Sequence, residues 1–233
     1  MQKPKKFTFI GFIKLIFKII VLFILGSVFL VAVYTVINPP ITPLMLIRPI
    51  EGIFQGKFVG IDKDWKDYED ISPNVLRAVI SAEDGKFLRH DGFDWNAIKR
   101  ARRVNAMRKG KKIIGASTIS MQTSKNVFLW QGRNYIRKGL EAYFTVLIEA
   151  IWGKKRILEI YVNSIEWGNG IYGVEAASQH YFKKSAKTIT KREAALLAAV
   201  LPNPRKWSPA SPTGYIKQRS NVIQARMGGI ALP

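Results

Sequence analysis

The chain has 233 residues, 48% of them hydrophobic, with no cysteine, two histidines and a formal net charge of +21. The absence of cysteine excludes disulfide scaffolds, thiolate zinc sites and cysteine nucleophiles. Two histidines argue against a histidine-rich metal site or a serine–histidine triad. The length allows one sizeable folded domain with an additional segment.

The first predicted element is an uncleaved membrane anchor at residues 19–37. This stretch has no charged side chain, and about nineteen apolar residues can cross a bilayer as a helix. A cleavable signal peptide is the alternative, but the exit Asn38-Pro39-Pro40 offers no small-x-small cleavage site. Lysines without any acidic residue precede the span, namely Lys3, Lys5, Lys6, Lys14 and Lys18. These charges predict that residues 1–18 form a basic cytoplasmic N-terminus and that the remainder lies outside.

The part beyond the membrane is strongly basic. Subtracting the five N-terminal lysines from +21 leaves +16, and such an excess attracts polyanions. Nucleic acid is the usual partner of a basic domain, but a domain outside the membrane meets anionic lipid headgroups instead. The basic runs at residues 99–103 and 108–112 are expected to lie on headgroups, with a solvated loop as the alternative. We therefore expect anionic membrane lipids, and no nucleic acid, as partners.

Residues 38–60 are predicted to be a linker and lead-in, and residues 61–233 one mainly α-helical domain. Asn38–Pro43 is proline-rich and predicts an extended spacer, whereas residues 44–71 show no clear period. Ser72 followed by Pro73 predicts the start of a helix. Further helices are predicted at residues 134–152, 154–165, 172–182, 190–201 and 213–227, the fourth opening with the capping box Thr190-x-x-Glu193.

A carboxylate continues the apolar face of the helix that starts at Ser72. Leu76, Val79 and Ile80 recur at the spacing of one helical face, and Glu83 follows on it. Desolvation there raises the pKa of a carboxyl toward the range in which it exchanges a proton near neutral pH. Glu83 is therefore a candidate general base, and a helix-end glutamate that reaches solvent is the alternative.

Three later segments are also informative, and the first two combine polar and cationic side chains. Residues 115–126 read GASTISMQTSKN, where small and hydroxyl residues allow close approach and Lys125 supplies a charge suited to phosphate. Residues 133–141 read RNYIRKGLE, a cationic cluster that ends in an acid. A helix entrance and an ordinary surface pair between Arg137 and Glu141 are the alternatives. Residues 155–177 are largely apolar and glycine-punctuated, and we expect Asn163 among them to be structural.

In this order the segments resemble the signature boxes of the peptidoglycan glycosyltransferases, also called murein transglycosylases or glycosyltransferase family 51. The boxes are Glu83-Asp84-x-x-Phe87-x-x-His90-x-Gly92, Gly115-x-Ser117-Thr118-x-x-x-Gln122-x-x-Lys125-Asn126 and Arg137-Lys138-x-x-Glu141. The match extends from about Ile71 to Pro209, and the anchor and lead-in resemble the monofunctional biosynthetic enzymes. Met121 departs from the pattern, because the family usually has a glutamine there. The S-x-x-K and KTG motifs of a penicillin-binding transpeptidase domain are absent from the sequence.

The resemblance implies a lysozyme-like helical fold with a small membrane-facing lobe. It implies that the protein polymerises lipid II into linear glycan strands of peptidoglycan, with inversion at the anomeric carbon. Glu83 and Glu141 are the implied catalytic residues. The implied substrate-binding residues are Asp84, Phe87, Ser117, Thr118, Gln122, Lys125, Asn126, Arg133, Arg137 and Lys138. Glu141 either holds the cations or binds a divalent metal, Mg²⁺ or Mn²⁺, on the diphosphate, and no other cofactor is expected.

The implied location is the bacterial inner membrane, with a single span and a periplasmic catalytic domain. The implied partners are lipid II, the growing glycan strand and other cell-wall synthesis or division proteins. Two alternatives stay open: a lytic or lysozyme-like muramidase, which also needs a glutamate of raised pKa, and a non-catalytic anchored cell-wall scaffold. A hydrolase of a neutral bond does not need the cationic set, and a scaffold does not need the ordered boxes. The polymerase is the preferred hypothesis.

Overall fold

The structure is a computed structural model that describes residues 9–108, 113–132 and 134–233. It divides into one unit within residues 1–38 and a second at Pro39–Pro233. In the first unit, the 25-residue helix α1 (Phe9–Val33) exposes most of its apolar side chains, and its length and composition suit a membrane span. It begins before the predicted span and contains Lys14 and Lys18, because lysine is a good helix former whose long stem can reach an interface.

The second unit is built mainly from helices, which confirms the predicted mainly α fold. In chain order the helices are α2 (Pro43–Phe54), α3 (Pro73–Glu83), α4 (Trp95–Met107), α5 (Ile119–Phe128), α6 (Tyr135–Ile151), α7 (Lys154–Ser164), α8 (Val174–Phe182), α9 (Lys191–Val200) and α10 (Gly214–Arg226). Three short strands are β1 (Asp62–Lys63), β2 (Glu166–Gly168) and β3 (Ile171–Tyr172). They form a sheet in the order β1-β3-β2, in which β1 is parallel and β2 antiparallel to β3.

The predicted helix starts are confirmed where a capping residue marks them. The Asn74 N–H donates to Ser72 Oγ at 3.3 Å at the start of α3. At the start of α9, Thr190 and Glu193 form the predicted capping box, in which each side chain accepts from the other residue's N–H. These bonds satisfy N–H groups that have no partner inside the helix.

Two segments differ from the prediction. The helix expected from residue 172 begins at Val174, since Tyr172 pairs in β3 with β1 and β2. Residues expected to be irregular after the spacer form α2, with Pro43 in its first turn. Pro49 lies inside this helix and obscures its pattern, since proline removes a backbone donor there.

The core of the second unit is organised around α9, which packs against α3 and α10. Its buried residues are Ala194, Ala195, Leu197, Ala198, Ala199 and Val200, as expected for a helix that is apolar on nearly every side. A second group consists of α5 packed on α6 and α7. Asn163 on α7 is structural, as predicted, because its side chain exchanges hydrogen bonds with the backbone of Lys66 at 3.0 and 2.8 Å. The ends of α3 and α5 meet between these groups.

Candidate active site

Glu83, the last residue of α3, lies at the centre of the site. Its side chain is 15% exposed. Oε2 accepts a hydrogen bond from Gln122 Nε2 at 2.9 Å, and Oε1 lies 3.6 Å from Arg219 Nη2. Burial raises the pKa of the Glu83 carboxyl, while the Gln122 hydrogen bond and the charges of Arg219 and Lys125 oppose that rise. Glu83 therefore has the environment expected of a general base.

Gln122 is held in one orientation by a second hydrogen bond. The Tyr161 hydroxyl donates to Gln122 Oε1 at 3.1 Å, which leaves the amide nitrogen to donate to Glu83. Tyr161 is buried on α7, and burial, followed by the charges of Glu83 and Asp84, raises the pKa of its hydroxyl well above its ordinary value. The phenol therefore keeps its proton and remains a donor. This relay presents an N–H group to the Glu83 carboxylate.

Asp84 joins the end of α3 to the start of α5. Its carboxylate accepts from the Ile119 N–H at 3.0 Å, and both of its oxygens lie 3.1 Å from His90 Nε2. Ile119 is the first residue of α5, where unpaired N–H groups and the helix dipole favour a negative charge. Because Asp84 is buried, these contacts fix the backbone next to Glu83 and so help to place Glu83 beside Gln122.

Gly92 closes the first box against α6. Its φ is +89°, and a Cβ at this position would lie 2.7 Å from Thr145 Cγ2. The Thr118 hydroxyl donates to the Gly92 carbonyl at 2.6 Å and accepts from the Met121 N–H as the N-cap of α5. Only glycine satisfies both the backbone conformation and the close contact. The loop after Glu83 is thus attached to α5 and packed on α6.

A second group of charges surrounds Glu141 on α6. Arg137 Nη1 donates to Glu141 Oε2 at 2.7 Å, and Lys138 Nζ donates to Oε1 at 2.5 Å. Arg137 Nε also donates to the Gly132 carbonyl at 2.7 Å. Glu141 and Arg137 are buried, whereas Lys138 is about half exposed. Burial lowers the pKa of the Lys125 ammonium on α5, and the charge of Glu141 opposes that change. Glu141 thus supports the cations around it.

The hydrogen bond between Glu83 and Gln122 joins the walls of two cavities. The first, of about 350 Å³, has a polar lining of Arg48, Gln122, Lys125, Asn126, Gln131, Tyr161, Glu166, Asn203 and Arg205. The second, of about 390 Å³, is lined by Glu83, Asp84, Gly85, Lys86, Asp94, Ala97, Arg100, Gly115, Ala116, Ser117 and Thr118. Three cations and one carboxylate in the first lining suit an anionic group. The Glu83 carboxylate lies on the side of the second cavity.

Comparison with known proteins decides the family. Residues 53–228 match the transglycosylase family model. The chain belongs to the transglycosylase family. It is 51% identical over 214 residues to a biosynthetic peptidoglycan transglycosylase of Bdellovibrio bacteriovorus, covering 92% of this chain and 85% of the relative. It is 50% identical over 216 residues to the protein of the same name in Caulobacter vibrioides, covering 93% and 91%. The counterpart in Pseudomonas syringae pv. tomato is 48% identical over 210 residues, covering 90% and 88%.

The structure gathers most of the predicted site residues of this transglycosylase. Gln122, Lys125 and Asn126 line the first cavity, and Glu83, Asp84, Ser117 and Thr118 line the second. Arg137, Lys138 and Glu141 form the ion cluster on α6, and Arg133 lies outside the described residues.

One predicted site residue lies in the core of the second unit. Phe87 is fully buried, with the Lys154 ammonium 4.7 Å from its ring centre. The ring packs inside the domain in this structure, and the substrate contact expected of Phe87 stays a prediction. Met121, the departure from the family pattern, is also buried.

Sequence reasoning missed three residues of this transglycosylase site. Tyr161 orients Gln122, Arg219 lies beside Glu83, and Arg48 lines the first cavity. Tyr161 meets Gln122, Arg219 meets Glu83 and Arg48 meets Glu166 across long stretches of chain. No local pattern marks these three contacts. A tyrosine inside an apolar helix is more simply read as core.

The described residues do not fit a metal at Glu141. Both of its oxygens already accept from cations, Arg137 and Lys138. No group of three or more histidine or acidic side chains suited to a metal occurs in the described part of the chain. Of the two roles left open by the sequence, the geometry around Glu141 fits the one in which it holds the cations.

Proposed function

We propose that this transglycosylase polymerises lipid II into linear glycan strands of peptidoglycan. The observation that carries the proposal is a buried glutamate of raised pKa at the junction of two cavities, one of which has three cations and one carboxylate in its lining. Its relatives are named biosynthetic peptidoglycan transglycosylases, which agrees with this assignment. The growing lipid-linked chain is the donor and a further lipid II is the acceptor.

In the proposed reaction, Glu83 takes the proton from the acceptor sugar hydroxyl. The hydroxyl oxygen forms a bond to the anomeric carbon of the donor from the face opposite the leaving group, which inverts that carbon. The bond from the anomeric carbon to the diphosphate oxygen breaks, and its electron pair leaves with undecaprenyl diphosphate. A sugar hydroxyl is a poor nucleophile without a base, and general-base catalysis typically contributes about 10²–10⁴-fold. The Gln122 N–H keeps the carboxylate oriented before the proton moves.

The charge that develops on the departing diphosphate needs fixed positive groups. Lys125 lines the first cavity and interacts electrostatically with the Arg137, Lys138 and Glu141 cluster. Cations aimed at developing charge in a water-poor site stabilise the transition state by several kcal/mol. We assign Lys125 to the diphosphate, with Glu141 holding Arg137 and Lys138 behind it. Arg133 is proposed to share this role.

We propose a single-pass inner-membrane location for the protein, with residues 1–18 in the cytoplasm and the catalytic domain in the periplasm. The apolar helix α1 suits one membrane anchor, and the basic residues before it favour this orientation. Lipid II is itself a membrane lipid, so an anchored enzyme meets it in two dimensions. The catalytic residues would then lie on the side of the membrane where peptidoglycan is assembled.

The test is polymerisation of labelled lipid II by the purified full-length chain, with products resolved as a glycan ladder on a gel. We expect Glu83→Gln to lower turnover by about 10²-fold or more, and Lys125→Ala to lower it by a comparable factor. Glu69→Gln is the matched control, because Glu69 is an exposed carboxylate whose partner is Lys155. Its activity should equal that of the wild type.

Finished, lipid-free peptidoglycan separates the polymerase from a muramidase. We expect the wild-type protein to leave purified sacculi intact, because no diphosphate leaving group is present. Release of soluble muropeptides would overturn the biosynthetic assignment. Retention of more than about a tenth of the activity by Glu83→Gln would remove Glu83 as the base.

A further inference from the structure

The outer face of α2 is apolar and exposed. Leu46, Ile50, Ile53 and Phe54 follow one another at the spacing of a single helical face, and their exposed fractions are 51, 53, 75 and 86%. Phe58, four residues after the helix, is 98% exposed. A contiguous apolar patch of this kind on a folded domain marks a binding surface.

The opposite face of α2 is fixed to the catalytic domain. Leu44 and Met45 form a buried cluster with Tyr172 of β3. Arg48 Nε donates to the buried Glu166 at 3.0 Å. A Cβ at Gly52 would lie 2.7 Å from the Lys57 carbonyl, so the chain turns back closely against the helix. The exposed apolar face therefore belongs to a well-anchored helix.

The same helix is a wall of the cation-lined cavity. Leu44 and Arg48 both contribute to the lining of the first cavity, together with Lys125 and Gln122. One face of α2 thus borders the proposed diphosphate site, while the other presents only apolar side chains to its surroundings. A single helix diameter of about 10–12 Å separates the two faces.

Chain connectivity indicates what covers this face. Nine residues separate the end of α1 at Val33 from the start of α2 at Pro43, and a chain of that length spans at most roughly 30 Å even when fully extended. Lys63 Nζ further ties this spacer down by donating to the Pro40 carbonyl at 2.8 Å. A helix so close along the chain to the end of a membrane span is within reach of the bilayer surface. Isoleucine, leucine and phenylalanine on one helical face are typical of helices that lie in that surface.

We propose that the apolar face of α2, formed by Leu46, Ile50, Ile53 and Phe54, lies in the headgroup–acyl boundary of the bilayer that holds α1. The helix then forms the wall between the lipid and the cation-lined cavity, and a lipid-linked diphosphate enters that cavity past α2 without leaving the membrane. The second part of this inference, the path of the substrate, rests on the proposed function. The first part, contact with lipid, does not.

The contact is tested on the full chain in vesicles of phosphatidylethanolamine and phosphatidylglycerol. Because the protein has no cysteine, Phe54→Cys and Ile53→Cys introduce single sites for an environment-sensitive fluorophore. Lys191→Cys, at an exposed position at the start of α9, is the matched control. We expect lipids with a quencher near the headgroup to quench the two α2 labels several-fold more than the control, at low and at high salt.

Three results of the quenching experiment would overturn the lipid contact. The first is quenching of the α2 labels equal to that of the control label, and the second is quenching that is lost at high salt. The third is an α2 label that is shielded from both lipid and water, with shielding that disappears when the protein is diluted in the membrane. The last result would show that a second copy of the chain covers the face.

The substrate path is tested by the double variant Ile53→Ser with Phe54→Ser. In proteoliposomes it should use full-length lipid II at least several-fold more slowly than the wild type, yet match the wild type on a water-soluble, short-chain lipid II. Activity on the soluble substrate also shows that the variant is folded. If the double variant slows the use of both substrates equally, the proposed path of the substrate past α2 is overturned. A wild type inactive on both would refute the proposed function and leave the quenching result standing.

Discussion

Replacing Gln122 with leucine should move the pH dependence of the reaction. The Gln122 Nε2 donates to Glu83 Oε2 at 2.9 Å and stabilises the charged carboxylate, so its loss raises the pKa of Glu83 further. A hydrogen bond to a charged group contributes about 1.5–3 kcal/mol, and one pKa unit corresponds to about 1.36 kcal/mol. The acid limb of kcat/KM should therefore move to higher pH by about one to two units. The ionised base is the active form, so activity at low pH falls most.

The assay is the initial rate of lipid II polymerisation between about pH 4.5 and 9, because kcat/KM reports the ionisation of the free enzyme. Gln179→Leu is the matched control. Gln179 Nε2 donates to the buried Glu175 at 3.0 Å, a similar bond on α8, so this variant should lose some stability without moving the limb. An acid limb of Gln122→Leu that coincides with that of the wild type would show that the Gln122 hydrogen bond does not set the pKa of Glu83. An equal shift in Gln179→Leu would show the same.

Four variants separate stability from catalysis. Burial raises the folded-state pKa of Glu83, so its ionisation lowers the stability of the fold as the pH rises from the ordinary pKa through the raised one. Glu83→Gln should therefore melt at a higher temperature than the wild type at pH 7, and the difference in melting temperature should be smaller at pH 4. Glu141→Gln leaves the buried Arg137 without a counter-charge, which should cost about 3–5 kcal/mol in unfolding by denaturant, and added Mg²⁺ should not restore activity. Gly92→Ala should lose about 1–3 kcal/mol, since it adds a Cβ at a φ of +89°. Gly139→Ala on α6, where a Cβ meets nothing within 4 Å, should be neutral or stabilising by up to about 1 kcal/mol.

Opposite results would identify the faulty step in each case. A Glu83→Gln variant that melts lower at pH 7 than at pH 4, relative to the wild type, would mean that the ionised carboxylate is stabilised by its surroundings. Restoration of Glu141→Gln by Mg²⁺ would place a metal near the diphosphate. Equal stability of the Gly92→Ala and Gly139→Ala variants would show that the first-box loop is free to shift away from α6.

The parts of this fold that the sequence predicted are those with a local physical signature. Ser72 and Thr190 mark helix starts because their hydroxyls accept from N–H groups two or three residues ahead. Glu83 is recognisable because it continues the apolar face of its own helix. Each of these inferences needs only residues within about one helical turn of each other.

The parts that the sequence did not predict depend on distant pairs. Tyr161 meets Gln122 across 39 positions, and Arg219 reaches Glu83 from the last helix. Periodicity cannot reveal such contacts, since they arise from how α5, α7 and α10 pack. The helix α2 has no clear pattern for another reason: its apolar residues lie on both its buried and its exposed face, and an interior proline interrupts the expected pattern.

The hydrogen bond from the Ile119 N–H to Asp84 spans 35 positions of the chain. It holds the two ends of the intervening segment together at fixed points. Of the described residues in this segment, those between Arg100 and Gly115 line neither cavity of the site. Insertions, deletions or changes of charge there leave both fixed points in place. The charge of α4 beyond Arg100 can therefore change without altering the geometry around Glu83.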